Sequence, residues 1–166
     1  MEAKAKTMKN VLKILEQDAR TPPEKIATMT GISRDEVGKI ITQAEKDKTI
    51  VKYKTIVDWS RLGDEQVLAL IEVKTIPHRN VGFDSIAERI YSFPQVYSVY
   101  LVSGTYDLQI QVVGKNIQEI GEFVSEKLAT LDSIQGTVTH FLLKKYKEDG
   151  EILNPGEKNN RLAISP

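Results

Sequence analysis

The second half of the chain switches between two hydrophobic periods, and this pattern constrains the fold more than any other feature. Four segments have the alternation and the β-branched content of strands: 66–75, 95–102, 106–113 and 137–146. Between them, apolar residues recur at helical spacing from Phe83 to Ile90 and again from Lys115 onward. The order β-α-β-β-α-β predicts an α+β, ferredoxin-like domain with one antiparallel sheet and both helices on a single face.

The uncovered face of this predicted sheet is not plainly polar. If Leu108, Ile110 and Val112 face the helices, residues such as Val138 and Leu142 remain on the other side. An exposed, partly apolar sheet face is typically buried against another copy, so we expect a homodimer formed through the sheets. The second helix is expected to bury one apolar stripe: Ile117, Ile120, Val124 and Leu128.

Residues 21–46 have the pattern of two short helices joined by a tight turn. Thr21 is expected to cap the first helix, with Pro22 at the first helical position. Gly31 can adopt the left-handed backbone that ends a helix, and Ser33 opens a second capping box. A further helix is predicted over residues 4–17, so the N-terminal part forms a three-helix, winged-type helix-turn-helix domain.

The second helix of this pair has one buried stripe and one polar face. The stripe consists of Val37, Ile40, Ile41 and Ala44. The polar face supplies the candidate DNA-binding residues, which are Arg34, Asp35, Gly38, Lys39, Thr42, Gln43 and Lys46. Arg34 and Lys39 could donate to guanine or phosphate, and Gln43 could pair with adenine. Two capped helices with a glycine turn also occur in domains that bind no DNA.

Charge and composition narrow the class of protein. The 166 residues have no net charge, but residues 1–60 carry +3 and residues 61–166 carry −3, which permits a mildly basic DNA-binding head. There is no cysteine, no signal-like segment and no membrane-length apolar run, so we expect a cytoplasmic protein without a membrane partner. There is no cysteine nucleophile and no glycine-rich phosphate loop after a strand, so no enzymatic activity is predicted. Neither His78 nor His140 has a His or Cys at metal-ligand spacing, so no metal or cofactor is predicted.

The alternating segment 50–57 is predicted to be a strand, followed by a polar linker that contains Trp59 and ends at residue 64. The expected domains are therefore 1–49 for the helix-turn-helix, 50–64 for strand and linker, and 65–147 for the ferredoxin-like domain. Residues 148–166 are rich in polar residues and glycine, which predicts a mobile tail.

The turn at Gly104-Thr105-Tyr106-Asp107 combines close backbone approach, a phenol and a carboxylate. A carboxylate can hold an ammonium group and free amides can hold a carboxylate, which together suit an amino acid. Asp132 and Thr137, near the loop before the last strand, are weaker candidates for the same site. A plain hairpin in which Asp107 satisfies turn amides explains the same residues.

The span from Met8 to Lys147 resembles the Lrp/AsnC family, the leucine-responsive and asparagine-responsive transcription regulators. The resemblance rests on residues in the head, the linker and the sheet domain: Leu15, Arg20, Gly31-Ile32-Ser33, Glu45, Ile50, Tyr53, Leu62-Gly63, Gly104-x-Tyr106-Asp107 and Gly136. The family usually has a basic run in its recognition helix, whereas this helix opens with Asp35-Glu36 and carries Ile40, Thr42 and Gln43.

The resemblance implies a sequence-specific DNA-binding transcription regulator whose C-terminal domain oligomerises and senses an amino acid. It implies double-stranded DNA and an amino-acid effector as partners, and a homodimer that could extend to a larger oligomer of dimers. The alternative is a small-molecule-binding oligomer whose helix-turn-helix mediates protein contacts.

Overall fold

The computed structural model describes residues 2–63, 66–76 and 82–153, which divide into two compact units with the boundary after Ile56. The first unit contains three helices: α1 Glu2–Gln17, α2 Pro23–Thr30 and α3 Arg34–Lys46. Their apolar stripes meet in a small core whose buried members are Val11, Leu15, Ile26 and Val37. The predicted three-helix head is confirmed.

The start of α2 differs from the prediction. Pro22 is the N-cap residue with an extended backbone and Pro23 is the first helical residue, so Thr21 does not cap the helix. A residue that precedes a proline is sterically disfavoured in the helical region, and this keeps Pro22 out of the helix. The end of α2 is as predicted, because Gly31 has a φ of 72° and its N–H donates to the Ala27 carbonyl at 2.9 Å.

The second unit contains one four-stranded antiparallel sheet in the order β2-β3-β1-β4. Its elements are β1 Val67–Thr75, α4 Phe83–Tyr91, β2 Val96–Leu101, β3 Leu108–Gly114, α5 Ile117–Phe123 and β4 Ile134–Phe141. This confirms the β-α-β-β-α-β order and the ferredoxin-like topology. Both helices cover the same face, where alternate residues of β1 and β3 are buried: Ala69, Ile71, Val73, Leu108, Ile110 and Val112.

The helix α5 continues into a π-helical turn, Val124–Leu128, which changes the stripe that it buries. The Ala129 N–H donates to the Val124 carbonyl at 2.8 Å, and this wider winding brings residues five apart onto one side. Phe123 and Leu128 are therefore both buried, whereas Ile117 is 59% exposed. The prediction that Ile117 belongs to the core is wrong.

The last strand lies earlier than the predicted 137–146. A register shift between Lys74 and Thr75 lets β1 pair with Ile134 and Gly136, so β4 starts at Ile134.

The expected mobile tail contains an ordered hairpin, with β5 Lys147–Glu148 paired to β6 Glu151–Ile152. Asp149 and Gly150 both have positive φ values, as a two-residue hairpin turn with the twist of its strands requires. The tail prediction is therefore wrong for residues 148–152.

The strand predicted at residues 50–57 does not form, since the described residues between α3 and β1 contain no strand. Alternation alone cannot form a strand without a hydrogen-bonded partner, and within the described residues this segment has none. Trp59 begins a short 3₁₀ helix, Trp59–Leu62, and is 55% exposed. The loop with His78 and the segment after Leu153 lie outside the described residues. No helix in the described parts of the chain is both long and apolar enough to span a membrane.

Candidate functional site

The helix α3 is fixed at its start and along one side. Ser33 Oγ accepts a hydrogen bond from the Glu36 N–H at 3.2 Å, as the predicted N-cap requires. Val37 and Ala44 are buried, and the rest of the predicted stripe packs on the head core. Burial of this side determines which residues α3 presents to a partner.

The opposite side of α3 carries most of the predicted DNA-binding residues. Asp35, Lys39, Thr42 and Lys46 follow one another at intervals of four, three and four residues, so they form one exposed line. Gln43 is exposed beside this line, and Gly38 is half-buried. A Cβ at Gly38 would meet no atom within 4 Å, so the surface is open there. The face is polar and accessible along its whole length.

Arg34, which sequence reasoning assigned to DNA contact, already has a partner in the protein. Its Nε lies 2.9 Å from Glu24 Oε1 of α2, in an ion pair whose two side chains are 70% and 58% exposed. An exposed pair of this kind contributes little to stability and can exchange partners. To bind a base or phosphate, Arg34 would have to leave Glu24.

The carboxylate of Asp107, in the candidate ligand site, binds residues from the end of β1. Its Oδ2 accepts the Thr75 N–H at 2.8 Å, and Oδ1 lies 3.3 Å from Lys74 Nζ. The main chain makes the same connection, because the Asp107 N–H donates to the Val73 carbonyl at 3.1 Å. Asp107 therefore fastens the start of β3 to the end of β1, whereas the plain-hairpin interpretation expected its carboxylate to bind amides of the turn itself.

These donors set the charge of the site. The hydrogen bond from the Thr75 N–H, together with Lys74, holds the pKa of Asp107 below its ordinary value because both favour the carboxylate over the neutral acid. Sequence reasoning missed Lys74 and Thr75, which lie more than thirty residues before Asp107. The only signal that could have indicated Lys74 and Thr75 is their position at the end of β1, the strand that pairs with β3.

The other candidate ligand residues lie at the same end of the sheet. Thr137 pairs with Val73, whose carbonyl accepts the Asp107 N–H. Asp132 is exposed, one residue before Ser133, whose carbonyl accepts the Ile76 N–H. The turn residues Gly104, Thr105 and Tyr106 connect β2 to β3 beside them, with Gly104 and Thr105 exposed and Tyr106 half-buried. The sheet thus brings together the two loops that the sequence singled out.

Gly104 has a backbone conformation that few other residues adopt, with a φ of 142°. No atom lies within 4 Å of where its Cβ would be. The turn is therefore open at this position.

The helix-free face of the sheet combines apolar and polar rows. Across the four strands, one row contains Tyr100, Gln109, Glu72 and Val138, and the next contains Ser98, Gln111, Leu70 and His140. Val138 is 38% exposed and Tyr100 is 51% exposed. The predicted uncovered, partly apolar face is confirmed for Val138.

No group of three or more metal-ligating side chains occurs among the described residues. His140 Nε2 lies 3.7 Å from Glu72 Oε2 on the helix-free face, and both side chains are partly exposed. This pair lacks the third ligand that a protein metal site needs.

Comparison with known proteins places this architecture in a family. Residues 68–152 match the model of the Lrp/AsnC ligand binding domain. The uncharacterized HTH-type transcriptional regulator YugG of Bacillus subtilis is 48% identical over 157 residues, which cover 94% of this chain and 95% of that protein. The HTH-type transcriptional regulator FL11 of Pyrococcus horikoshii is 28% identical, over 87% of this chain and 92% of its own.

Solved structures share the fold at low sequence identity. Escherichia coli AsnC superposes with a TM-score of 0.66 at 21% identity and covers 90% of this chain and 97% of its own. A transcriptional regulator of Neisseria meningitidis, solved as a complex with L-Met, superposes with a TM-score of 0.69 at 18% identity, over 90% and 96% of the two chains. The family model and the regulator from Bacillus subtilis agree with the fold, and the chain belongs to the Lrp/AsnC family of transcriptional regulators.

Proposed function

We propose that this protein is a sequence-specific, DNA-binding transcription regulator of the cytoplasm, with DNA binding in residues 1–49. Oligomerisation and effector binding are assigned to residues 65–147. The observation that carries the proposal is the exposed polar face of α3 in a chain that is 48% identical to an HTH-type regulator. An electrophoretic shift with a duplex of the gene's own upstream region tests it. A protein that shifts no duplex, while it binds small molecules, would instead support the alternative of a helix-turn-helix used for protein contacts.

The helix α3 is assigned to a major groove, with Lys39, Thr42 and Gln43 nearest the bases. Gln43 can pair with the N6 and N7 groups of adenine, and a two-fold dimer would present two such helices roughly 34 Å apart. Gln43→Ala tests the assignment, because loss of a base contact lowers affinity for the specific site more than for random DNA. Glu16→Ala, an exposed change on α1, is the matched control. Equal affinities of Gln43→Ala and wild type for the specific site would show that Gln43 reads no base.

An amino acid is the proposed effector, at the end of the sheet that holds Asp107. The support is the position of Asp107, Gly104 and Thr137 at one sheet end, together with the L-Met complex of the structural relative. An incoming ammonium would compete with Lys74 for Asp107 Oδ1, while Oδ2 stays bonded to Thr75. Exposed amides around Gly104 would receive the ligand carboxylate.

Calorimetry with the common amino acids tests the effector site. Wild type should bind one of them, and Asp107→Ala should bind it more weakly. Lys74→Met removes the competing ammonium but keeps the length of the side chain, so it should bind the effector at least as tightly as wild type. If no amino acid binds at millimolar concentration, the effector proposal is wrong, although DNA binding could stand.

The helix-free sheet face is the proposed dimer surface, and dimers could assemble further. Its apolar residues, among them Leu70 and Val138, are not covered by either helix of the same chain. The segment 50–57, which lacks a strand partner within the described residues, could pair across the two-fold axis. Sedimentation should show a dimer or a larger species for wild type and dissociation for Val138→Lys. A wild-type monomer at micromolar concentration would contradict this assignment.

A further inference from the structure

The segment Asp47–Tyr53 follows α3 directly and is held against it, although it has no regular secondary structure. The Ile50 N–H donates to the Ala44 carbonyl at 2.9 Å, and the Ile50 side chain packs on the head core. The Tyr53 hydroxyl donates to Glu45 Oε1, also at 2.9 Å. These contacts fix the segment relative to α3 instead of leaving it as a free linker.

A tight turn begins the segment. Asp47 Oδ1 accepts hydrogen bonds from the Thr49 N–H at 3.0 Å and from the Thr49 hydroxyl at 2.6 Å. These two donors hold the pKa of Asp47 below its ordinary value, so its carboxylate is charged at neutral pH. Lys48, which lies between Asp47 and Thr49, has a φ of 63°, a conformation in which glycine or asparagine is more usual. A lysine therefore occupies a position where local conformation alone would favour another residue.

The acidic side chains of this region have partners within the head, whereas its lysines form no ion pairs among the described residues. Glu45 and Asp47 are both hydrogen-bonded within the head, to Tyr53 and Thr49 respectively. Lys46, Lys48 and Lys52 are exposed, and none of them forms an ion pair with another described residue. The lysines are therefore available to an external anion, whereas the carboxylates are already bonded.

The end of α3 indicates where these lysines would lie on a duplex. The roughly 12 Å width of a major groove matches the diameter of an α-helix, so α3, about 20 Å long, can lie lengthwise in the groove. In the homeodomain, a helix-turn-helix variant, the C-terminal end of the recognition helix contacts the sugar–phosphate backbone. Lys48 and Lys52 follow the C-terminal end of α3, beyond the proposed base contacts at Lys39, Thr42 and Gln43.

We propose that Lys48 and Lys52 form a second DNA contact, which binds backbone phosphates next to the groove that α3 enters. This proposal rests on the proposed DNA-binding function. It adds two residues that contact phosphates and therefore do not distinguish one DNA sequence from another. Phosphate contacts fix the position of the protein and raise affinity for every duplex alike. The turn at Asp47 and the bond from Tyr53 would keep these lysines in place beside α3.

The double variant Lys48→Ala/Lys52→Ala tests the proposal in a salt titration of DNA binding. The slope of log K against log salt should become shallower by about 1.8, since each phosphate contact contributes about 0.9. Affinity for the specific duplex and for a random duplex should fall by the same factor. The matched control is Lys9→Ala/Lys13→Ala, which removes the same charge from the exposed side of α1 and should change the slope by much less.

The other outcomes of the salt titration distinguish failure of this proposal from failure of the proposed function. An unchanged slope, or an equal change in the control, would overturn the proposal and leave DNA binding by α3 intact. A loss confined to the specific duplex would also overturn it, because the lysines would then read bases. A wild-type protein that binds no duplex would refute the proposed function itself and this contact with it. Melting curves should match wild type for both double variants, since all four lysines are exposed.

Tyr53→Phe tests the positioning role separately. The variant keeps both lysines and removes only the donor to Glu45. Affinity for both duplexes should fall by about 2- to 5-fold with an unchanged salt slope, because the segment loses order but no charge. An affinity equal to that of wild type would show that this hydrogen bond does not position the lysines.

Discussion

Truncation of Ile26 should destabilise the head while the stability of the sheet unit is unchanged. Ile26 is fully buried in the small core of residues 1–56, and that core is separate from the cluster in the sheet unit. Replacing a buried isoleucine by alanine costs about 2–5 kcal/mol. A unit of this length has a total stability of roughly 3–8 kcal/mol. Ile26→Ala should therefore remove a large part of the stability of the head and weaken DNA binding.

Hydrogen exchange followed by mass spectrometry can locate the loss. Amides of α1, α2 and α3 should lose protection in Ile26→Ala, whereas amides of β1, β3 and β4 should keep it. Ile71→Ala, in the sheet core, should give the opposite pattern, and the exposed Met29→Ala should change neither. An equal loss of protection in both units after Ile26→Ala would refute the view that their cores are energetically separate.

Two further predictions concern the sheet unit. A Cβ at Gly114 would lie 2.9 Å from the buried Ile120 Cγ1, so Gly114→Ala should destabilise the unit by about 1–3 kcal/mol in chemical denaturation. Adding Ile120→Ala should cost less than the sum of the two single changes, and simple additivity would contradict the clash. The pKa of Asp107 is lowered by Thr75 and Lys74, so its contribution to stability is complete well above 3.8 and disappears as the pH falls through the lower folded value. Asp107→Asn should therefore lose less stability than wild type over that acidic range, and parallel pH profiles would contradict this assignment.

The order of elements could be predicted from the sequence because its two hydrophobic periods are strong and local. Leu108, Ile110 and Val112 alternate with polar residues and are buried on one face, as expected. Ser33 and Gly31 likewise act through neighbours within four residues. Each of these signals depends on nearby residues in the chain, so no knowledge of the tertiary structure is needed.

Other features of the fold depend on residues far apart in the chain or on irregular backbone, and the hydrophobic pattern of the sequence does not show either. Segment 50–57 alternates like a strand but lacks a partner strand within the described residues. The bond from Thr75 to Asp107 joins residues 32 positions apart. The π-helical turn places Phe123 and Leu128 together on the buried side, and Ile117, at the start of α5, is exposed. By contrast, the hairpin at Asp149-Gly150 had a local signal, because this dipeptide is a typical two-residue hairpin turn.

The most direct test of the central claim is DNA cleavage from a reagent attached to α3. The chain contains no cysteine, so Thr42→Cys provides a single attachment point for an iron chelate that cleaves nearby DNA. Lys13→Cys, on the exposed side of α1, is the control. If α3 enters the major groove, the label at position 42 should cut the upstream duplex at two sites about one helical turn apart, and the label at position 13 should cut little. Equal, diffuse cleavage from both positions would contradict the account.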